Sequence, residues 1–220
     1  MPKAIKSADA LAERVIEWGV DKKIETCFDR VDTMKPCPIG ETGACCKVCN
    51  MGPCRLVGKN AEEKVVGICG ASLATVVARN LVRMIAAGTS AHCDHGRDMA
   101  FALEATAKGE TKDFQIKDVR KLYRVAGIIG VEFEGRPVND VAKDVAAIFI
   151  EDYGRQRGEL SYVKRSPKKT QERWKKYGVT PRGIDREVVE ALDRTTIGMD
   201  ADPDSLLTQG LKTALASGWG

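Results

Sequence analysis

The chain has 220 residues, of which 43% are hydrophobic and 30% are charged. This is an ordinary globular composition, and a chain of this length can bury a core in one large domain or two small ones. The formal net charge of +4 is mild and gives no argument by itself for nucleic-acid binding. No apolar run approaches the roughly 18 residues of a membrane span, and the N-terminus lacks the apolar core of a secretory signal. We therefore expect a cytoplasmic protein, in which disulfide bonds explain cysteines poorly.

Two short helices are predicted before residue 36. Ser7 is placed to cap the first and Gly19 to end it, while Asp21 is placed to cap the second. Cys27 lies on the second helix, where a small buried residue is a better explanation than a metal ligand. Both helices have apolar residues spaced for burial, namely Leu11, Val15, Ile16, Ile24, Phe28 and Val31.

Residues 36–70 have a different character, because three prolines and six glycines exclude long regular structure. Five of the eight cysteines fall within 18 residues of this segment, and a sixth follows shortly after. These six are Cys37, Cys45, Cys46, Cys49, Cys54 and Cys69. Thiolates so close together repel one another unless a metal centre holds them. The segment is therefore predicted to be a loop shaped by metal ligands.

From residue 71 onward the pattern is helical. A strong helix is predicted over residues 71–87, ended by Gly88, with residues 89–107 as its antiparallel partner. Its apolar face is separate from a polar stripe of Thr75, Arg79 and Arg83. Further helices are predicted over residues 116–131, from Val138 to Phe149, and after the cap–proline pairs Thr180-Pro181 and Asp202-Pro203.

No convincing series of strands interrupts these helices, so the predicted fold class is all-α. It is a helical domain with an N-terminal Cys/Gly/Pro-rich cluster-binding loop. Three segments follow: N-terminal helices over 1–35, an iron–sulfur cluster loop over 36–70, and a helical domain over 71–220 that we expect to continue into a longer parent chain.

Residues 155–182 are basic, with ten Lys or Arg against Glu159 and Glu172. A solvated surface segment is the plainer interpretation of this excess. The sharper interpretation is a docking face for a small acidic electron carrier, because complementary charge speeds the encounter of two proteins.

The spacing of the cysteines favours an iron–sulfur cluster over zinc. Structural zinc usually takes two CxxC pairs, whereas here one pair, Cys46 and Cys49, is followed unevenly by Cys54 and Cys69. Cys69 precedes the strong helix, whose N-terminus favours a nearby anion. One cluster would use these four thiolates.

Cys37 and Cys45 remain after this assignment. Two thiolates are half of a four-thiolate site, which the two-fold axis of a homodimer would complete with the same pair from a second chain. The alternative is that the two are free thiols.

Five stretches carry a specific motif: Cys37-Pro-Ile-Gly-Glu-Thr-Gly-Ala-Cys45-Cys46-Lys-Val-Cys49-Asn-Met-Gly-Pro-Cys54, then Gly-Ile-Cys69-Gly, then Val-Ala-Arg79-Asn, then Ala-His92-Cys93-Asp-His95, then Asp-Arg-Thr-Thr-Ile197-Gly. Together they resemble the N-terminal part of anaerobic nickel–iron carbon monoxide dehydrogenase. The resemblance implies a [4Fe–4S] cluster on Cys46, Cys49, Cys54 and Cys69, and a second cluster on Cys37 and Cys45 shared across a dimer axis. Whether that shared cluster is [4Fe–4S] or [2Fe–2S] stays open.

In that family the clusters conduct electrons from a nickel–iron–sulfur site, where CO and water become CO2, two protons and two electrons. A ferredoxin-like protein is the implied acceptor. The nickel site is held by a His and several Cys well downstream of the corresponding region. This chain has no cysteine after Cys93, so no catalytic residue of that site is in it, and we interpret it as the N-terminal portion of such an enzyme.

His92 and His95 are the two histidines of the chain and stand one helical turn apart. In the family, histidines at this spacing are associated with proton transfer, although a packed or surface pair explains them equally well. Cys93 between them is expected to be buried rather than a ligand. Two further interpretations stay open for the whole chain: a non-catalytic, cluster-stabilised helical binding or dimerisation module, and a relative of the hybrid-cluster protein, which lacks the shared cluster.

Overall fold

The structure is a computed structural model that describes residues 7–58 and 65–219. The chain divides into two compact units, Met1–Thr42 and Gly43–Gly220, and each is described by itself. The described part of the first unit contains helices α1 (Ala10–Asp21), α2 (Cys27–Thr33) and α3 (Pro38–Glu41).

Helix α1 starts later and ends later than the sequence suggested. Its N-cap is Asp9 rather than Ser7, since the Asp9 carboxylate accepts hydrogen bonds from the first free N–H groups of the helix at 2.9 and 2.7 Å. The helix continues through Gly19 to Asp21, so the prediction that Gly19 ends it is wrong. A single glycine costs a helix only about 1 kcal/mol, which neighbouring residues offset.

Helix α2 is capped by Thr26 instead of Asp21. The Thr26 hydroxyl accepts from the Asp29 N–H, and the Asp29 carboxylate accepts from the Thr26 N–H, which forms a capping box. Cys27 is exposed, contrary to the expectation of a small buried residue. The apolar residues expected to be buried include four that are exposed in this chain: Leu11, Val15, Ile24 and Val31.

The second unit begins with two short antiparallel strands and continues as helices. The strands are β1 (Cys45–Cys46) and β2 (Cys54–Arg55). The helices are α4 (Leu73–Lys108), α5 (Val119–Ile129), α6 (Val138–Gly154), a 3₁₀ helix (Ser161–Arg165), α7 (Lys168–Lys176), α8 (Ile184–Arg194) and α9 (Pro203–Ser217). The predicted all-α class is confirmed.

Helix α4 is one continuous helix of 36 residues, so the predicted antiparallel pair broken at Gly88 is wrong. A Cβ built at Gly88 would meet nothing within 4 Å, and no turn residues accompany this glycine. Both halves of α4 are fixed by packing, because the helix contacts α6, α8 and α9. It ends at Gly109, which takes the left-handed conformation with φ of 75°.

The side of α4 that packs inward is not the one that composition suggests. Thr75 and Arg79, from the predicted polar stripe, are buried. Four residues of the apolar face are instead exposed in this chain: Leu73, Val77, Leu81 and Met84. The polar stripe is buried because the loop between α8 and α9 lies on it and supplies hydrogen-bond partners.

The apolar core has one cluster between α5 and α6 and another among α4, α8 and α9. In the second, Val82 and Leu206 are fully buried, and α9 approaches α4 closely at Gly210. A Cβ at Gly210 would lie 3.1 Å from a methyl group of Val82, so a larger residue here would force the Val82 side chain to move by a few tenths of an ångström. The buried clusters fix the helices that surround the cysteine loop.

Of the two cap–proline pairs, one begins a helix. Asp202 caps α9 at Pro203 as predicted. Thr180-Pro181 does not begin α8, which starts three residues after Pro181 at Ile184. The difference has a local cause: the Glu187 carboxylate accepts from the backbone N–H of Arg182 at 2.8 Å, which fixes the chain in a non-helical path before α8. Within the described part of the chain, no helix is long and apolar enough to cross a membrane.

Candidate metal centre

The strand pair β1–β2 places two cysteines side by side. Cys46 is paired with Cys54, and Cys45 is paired with Arg55. Residues directly opposite in a sheet share a face, whereas neighbours along a strand point to opposite faces. Cys46 and Cys54 therefore face the same way, and Cys45 faces the other way.

The turn between the strands requires a glycine. A Cβ at Gly52 would lie 3.0 Å from both the carbonyl oxygen of Cys46 and the backbone nitrogen of Cys54. No other residue fits this close approach. The glycine thus allows the backbone to fold tightly around Cys49, which lies between the two strands.

A second turn brings Cys69 to the same place. The Gly67 N–H donates to the carbonyl oxygen of Ala71 at 2.8 Å, and Gly70 takes a φ of 84°. Within this turn the backbone N–H of Ile68 donates to the Cys54 sulfur at 3.5 Å. The turn leads directly into α4, whose N-cap is Ser72.

One cavity is lined by all four of these cysteines: Cys46, Cys49, Cys54 and Cys69. Apolar walls come from residues such as Val76 of α4 and Ile197 of the α8–α9 loop. The guanidinium of Arg79 also lines it and donates from Nη1 to the Cys69 sulfur at 3.8 Å. The cavity therefore combines four thiols, apolar walls and one cation.

The environment of Cys69 favours its thiolate. The pKa of Cys69 is lowered, first by a hydrogen bond from the backbone of Ala71, and further by the hydrogen bond and charge of Arg79, although partial burial opposes them. A thiolate is the form that binds metal. The surroundings thus prepare this side chain for ligation.

The donor set fits an iron–sulfur cluster. Four cysteine thiolates, one for each iron, are the ligand set of a [4Fe–4S] cluster, and N–H groups near the sulfurs are typical of such sites. Among residues 7–58 and 65–219, no group of three or more His, Cys, Asp or Glu side chains is arranged around a single point to hold one metal ion. A cluster requires no such convergence, since each thiolate binds a different iron.

Cys37 and Cys45 lie in different units and are described separately. Cys37 is the N-cap residue of α3 and is exposed. Cys45 is half-buried in β1, where its carbonyl oxygen accepts from the Asn80 side chain at 3.0 Å. None of the eight cysteines is in a disulfide bond. That these two hold a shared cluster stays a prediction.

His92 and His95 lie on α4 and line a cavity of about 450 Å³, together with Lys121 and Tyr153. His92 Nδ1 is 3.3 Å from the Ser217 hydroxyl. Both histidines are exposed, whereas Cys93 between them is buried, as expected. The cavity gives the two imidazoles a common space, and their role in proton transfer stays a prediction.

Two functional neighbours of the thiols were missed from the sequence. Arg79 is placed by the sequence in a polar stripe and in the motif Val-Ala-Arg79-Asn, and Ile197 in the stretch Asp-Arg-Thr-Thr-Ile197-Gly, but neither is predicted to lie beside the thiols. A signal for Arg79 exists in the sequence, because a cation in the second turn of the helix that follows Cys69 lies on the side of the helix near its N-terminus, where an anion is favoured. No pattern indicated Ile197, which comes from a loop more than 120 residues away in sequence.

Comparisons with known proteins point to one family. A model of the Prismane/CO dehydrogenase family matches residues 44–220. Carbon monoxide dehydrogenase 1 of Methanosarcina mazei is 42% identical over 218 residues, which cover 98% of this chain and 34% of that protein. The Ni-free crystal structure of carbon monoxide dehydrogenase from Thermococcus sp. AM4 is 38% identical with a TM-score of 0.85, over 100% of this chain and 36% of that one.

A third similar protein is the acetyl-CoA synthase/carbon monoxide dehydrogenase whose structure shows NiZn[Fe4S4] and NiNi[Fe4S4] clusters in its alpha subunits. It is 35% identical with a TM-score of 0.85, over 96% of this chain and 32% of that one. The chain therefore spans about a third of the length of the relatives it matches.

Proposed function

This chain belongs to the Prismane/CO dehydrogenase family, and we propose that it is the iron–sulfur electron-transfer portion of an anaerobic carbon monoxide dehydrogenase. In the proposed parent enzyme, CO and water become CO2, two protons and two electrons. The electrons pass to a ferredoxin-like acceptor in the cytoplasm. The observation that carries the proposal is the single cavity lined by four cysteine thiols in a chain whose relatives are named carbon monoxide dehydrogenase.

Four cysteines form the proposed ligand set of a [4Fe–4S] cluster: Cys46, Cys49, Cys54 and Cys69. The cluster supplies reversible storage of one electron. The chain supplies the thiolates, the backbone N–H of Ile68 near the Cys54 sulfur, and apolar walls. In this proposal residues 36–70 act as the cluster loop, residues 1–35 precede it as helices, and residues 71–220 are the supporting helical domain.

Cys37 and Cys45 are proposed to bind a second cluster, shared with the same pair of a second chain in a homodimer. The support is the orientation of β1, in which Cys45 and Cys46 face opposite ways and so suit two different centres. The electron-transfer path would then contain two kinds of cluster, one within each chain and one between the two chains.

The nickel ligands of the parent enzyme are not in this chain, because no cysteine follows Cys93. We propose that they lie in the remaining catalytic part of the enzyme, in agreement with the one-third coverage of the relatives. His92 and His95 are proposed as proton carriers, since they line one cavity and a neutral imidazole accepts and releases protons near neutral pH.

Metal analysis of the anaerobically purified chain tests the ligand assignment. We expect about six iron per chain, four from its own cluster and half of a shared four-iron cluster, with matching acid-labile sulfide. Zinc without sulfide would contradict the proposal and favour a non-catalytic, metal-stabilised module. Cys27→Ser is the matched control, because Cys27 is an exposed cysteine outside the ligand set and its loss should leave the iron content unchanged.

The shared cluster is tested with the double variant Cys37→Ala/Cys45→Ala. It should retain about four iron per chain and migrate as a monomer in anaerobic size-exclusion chromatography. A dimer that survives these substitutions with six iron per chain would show that the shared-cluster assignment is wrong.

A further inference from the structure

Arg79 is a buried cation whose role the cysteine motif does not define. It lies in the second turn of α4 after the N-cap, and only 2% of its surface is exposed. Burial of a guanidinium is costly unless an anion and hydrogen bonds compensate it. The hydrogen-bond partners of Arg79 therefore indicate which negative charge compensates its buried guanidinium.

Among residues 7–58 and 65–219, the partners of Arg79 include no carboxylate within ion-pair distance. Nη2 donates to the carbonyl oxygen of Asp200 at 2.7 Å, and Nη1 donates to the Cys69 sulfur at 3.8 Å. The buried Nε has no hydrogen-bond partner among the same residues. The candidate anion that Arg79 contacts is therefore the Cys69 thiolate, one of the four thiols of the cavity.

The loop between α8 and α9 holds this arrangement in place. Along one side of α4, the Thr75 hydroxyl donates to the carbonyl oxygen of Ala201 at 2.7 Å and Arg83 donates to the Thr195 hydroxyl at 2.8 Å. With Arg79 between them, three successive turns of α4 bind one loop. Ile197 of the same loop lines the cavity, so the charge and the thiols share one site.

We propose that Arg79 is the counter-charge of the cluster bound by Cys46, Cys49, Cys54 and Cys69, and that it raises the reduction potential of that cluster. The inference rests on the proposed function. Reduction adds one electron, which in the proposed parent enzyme comes from the nickel–iron–sulfur site, and makes the cluster more negative by one charge. A fixed, buried positive charge beside the cluster stabilises the reduced form more than the oxidised form, and so favours uptake of the electron.

The test uses the full chain in the Cys37→Ala/Cys45→Ala background, so that one kind of cluster titrates. The chain is loaded with iron and sulfide under anaerobic conditions, and its reduced fraction is followed by absorbance and EPR against redox mediators. Three variants are compared with this parent: Arg79→Met, Arg79→Lys and Arg83→Met. Arg83→Met is the matched control, because Arg83 binds the same loop and does not line the cavity.

At the midpoint potential of the parent, the reduced and oxidised forms are equal. In Arg79→Met we expect the ratio of reduced to oxidised cluster to fall at least tenfold, which for one electron is about 59 mV. Arg79→Lys keeps the charge, and Arg83→Met keeps Arg79 itself. In both variants the ratio of reduced to oxidised cluster should stay within about threefold of the parent, because a positive charge remains beside the cluster.

Each outcome decides between the proposals. An unchanged ratio in Arg79→Met with four iron bound would overturn the role of Arg79 and leave the ligand assignment intact. An equal fall in Arg83→Met would assign the effect to the loop instead of the charge.

Iron content gives a second readout. If Arg79→Met loses iron while Arg79→Lys and Arg83→Met retain it, the role of Arg79 as counter-charge is supported. Loss of iron from Arg79→Lys as well would contradict that role. Zinc without sulfide in the parent would overturn the proposed function itself.

Discussion

The cysteine loop and the helical body of the second unit are stabilised in different ways. The loop, described over residues 43–58 and 65–72, contains strands of two residues each and buries only small apolar groups beside Leu56. The helical body, α4 to α9, contains several apolar clusters and a buried ionic network around Glu187. In the proposed account the loop depends on metal ligation for its order, whereas the body does not.

This difference predicts that the two regions depend on different interactions for their order. A short loop rich in glycine and proline makes few backbone hydrogen bonds of its own, so metal–thiolate bonds supply its folding free energy. The helices bury enough apolar surface to fold without that contribution. Perturbations directed at one region should therefore leave the other largely unchanged.

Removal of the cluster should have the largest effect and should be confined to the loop. We expect amides of residues 43–58 and 65–72 to lose at least about 100-fold in hydrogen-exchange protection when iron is removed, while core amides of α4 and α6 change little. Exchange is read by mass spectrometry on metal-loaded and metal-free chain. A parallel loss throughout α4–α9 would show that the two regions fold as one.

Cys54→Ser should reproduce the effect of iron removal, because it deletes one thiolate and the sulfur that accepts from the Ile68 N–H. Cys27→Ser is the matched control, since Cys27 is exposed and outside the proposed ligand set. Equal loop protection in the two variants would be evidence against ligation by Cys54.

The second largest effect should come from Glu187 in the helical body. Its side chain is 0% exposed and accepts from Arg182 at 2.9 Å, with Gln209 also donating to it. Glu187→Gln removes the buried carboxylate of this network and leaves Arg182 with Glu190 as its remaining carboxylate partner. It should lower the free energy of unfolding by about 3 kcal/mol, the low end of the range for breaking a buried ion pair. Urea denaturation followed by circular dichroism measures this change.

Glu151→Gln provides the comparison for that prediction. Glu151 pairs with Arg155 at the surface, where its side chain is 65% exposed, so its loss should change stability by at most about 1 kcal/mol. Similar losses of stability in the two variants would show that the buried Glu187 network stabilises the fold no more than an exposed ion pair does. The cluster absorbance of both variants should match the unmodified chain.

Two glycines within long helices should respond oppositely to alanine. Gly88→Ala in α4 should stabilise the chain by about 0.5–1 kcal/mol, because nothing lies within 4 Å of the new Cβ. Gly210→Ala in α9 should be about 1–3 kcal/mol less favourable than Gly88→Ala, since its Cβ would crowd Val82. Thermal denaturation gives both values, and equal values would contradict the close approach of α9 to α4.

The smallest expected effect is a pH dependence from Glu190. Burial opposes ionisation of this carboxyl group, but Arg182 and Arg194 outweigh it and lower its pKa to about 2. Because this pKa is lowered on folding, the stabilisation is fully present above about pH 4.5 and is lost as the pH falls toward 2. After allowance for solvent screening it amounts to about 1 kcal/mol or less.

Glu190→Gln isolates this contribution. The urea midpoint of the unmodified chain should fall more steeply between pH 4.5 and pH 2.5 than that of the variant, when both are measured at the same ionic strength. Parallel curves would show that the ionised form of Glu190 is not preferentially stabilised in the folded chain. Carboxyl groups that do not share an arginine with Glu190 titrate alike in both chains and cancel in the comparison.

The sequence predicted the class of the fold and the candidate ligands, because both depend on local signals. Cysteine spacing and the surrounding glycines indicate the loop, and apolar periodicity indicates helices. It failed where tertiary contacts outweigh local preference: Gly88 does not end α4, since packing along both halves of that helix offsets a single glycine.

The inverted burial of α4 has the same cause. The polar stripe that includes Arg79 looks solvent-exposed by composition, yet it is buried against carbonyl and hydroxyl groups of a loop more than 110 residues away. Side-chain patterns within one helix contain no information about such a partner. Contacts of this kind, between Ile197 or Asp200 and the cysteine site, therefore had to come from the structure.

Mössbauer spectroscopy of the Cys37→Ala/Cys45→Ala chain, loaded anaerobically with iron-57 and sulfide, tests the central claim most directly. The account predicts four iron per chain in the spectrum of a single [4Fe–4S] cluster, which disappears in the same background with Cys69→Ser. A spectrum of mononuclear iron, or retention of the four-iron signal without Cys46, Cys49, Cys54 or Cys69, would contradict it.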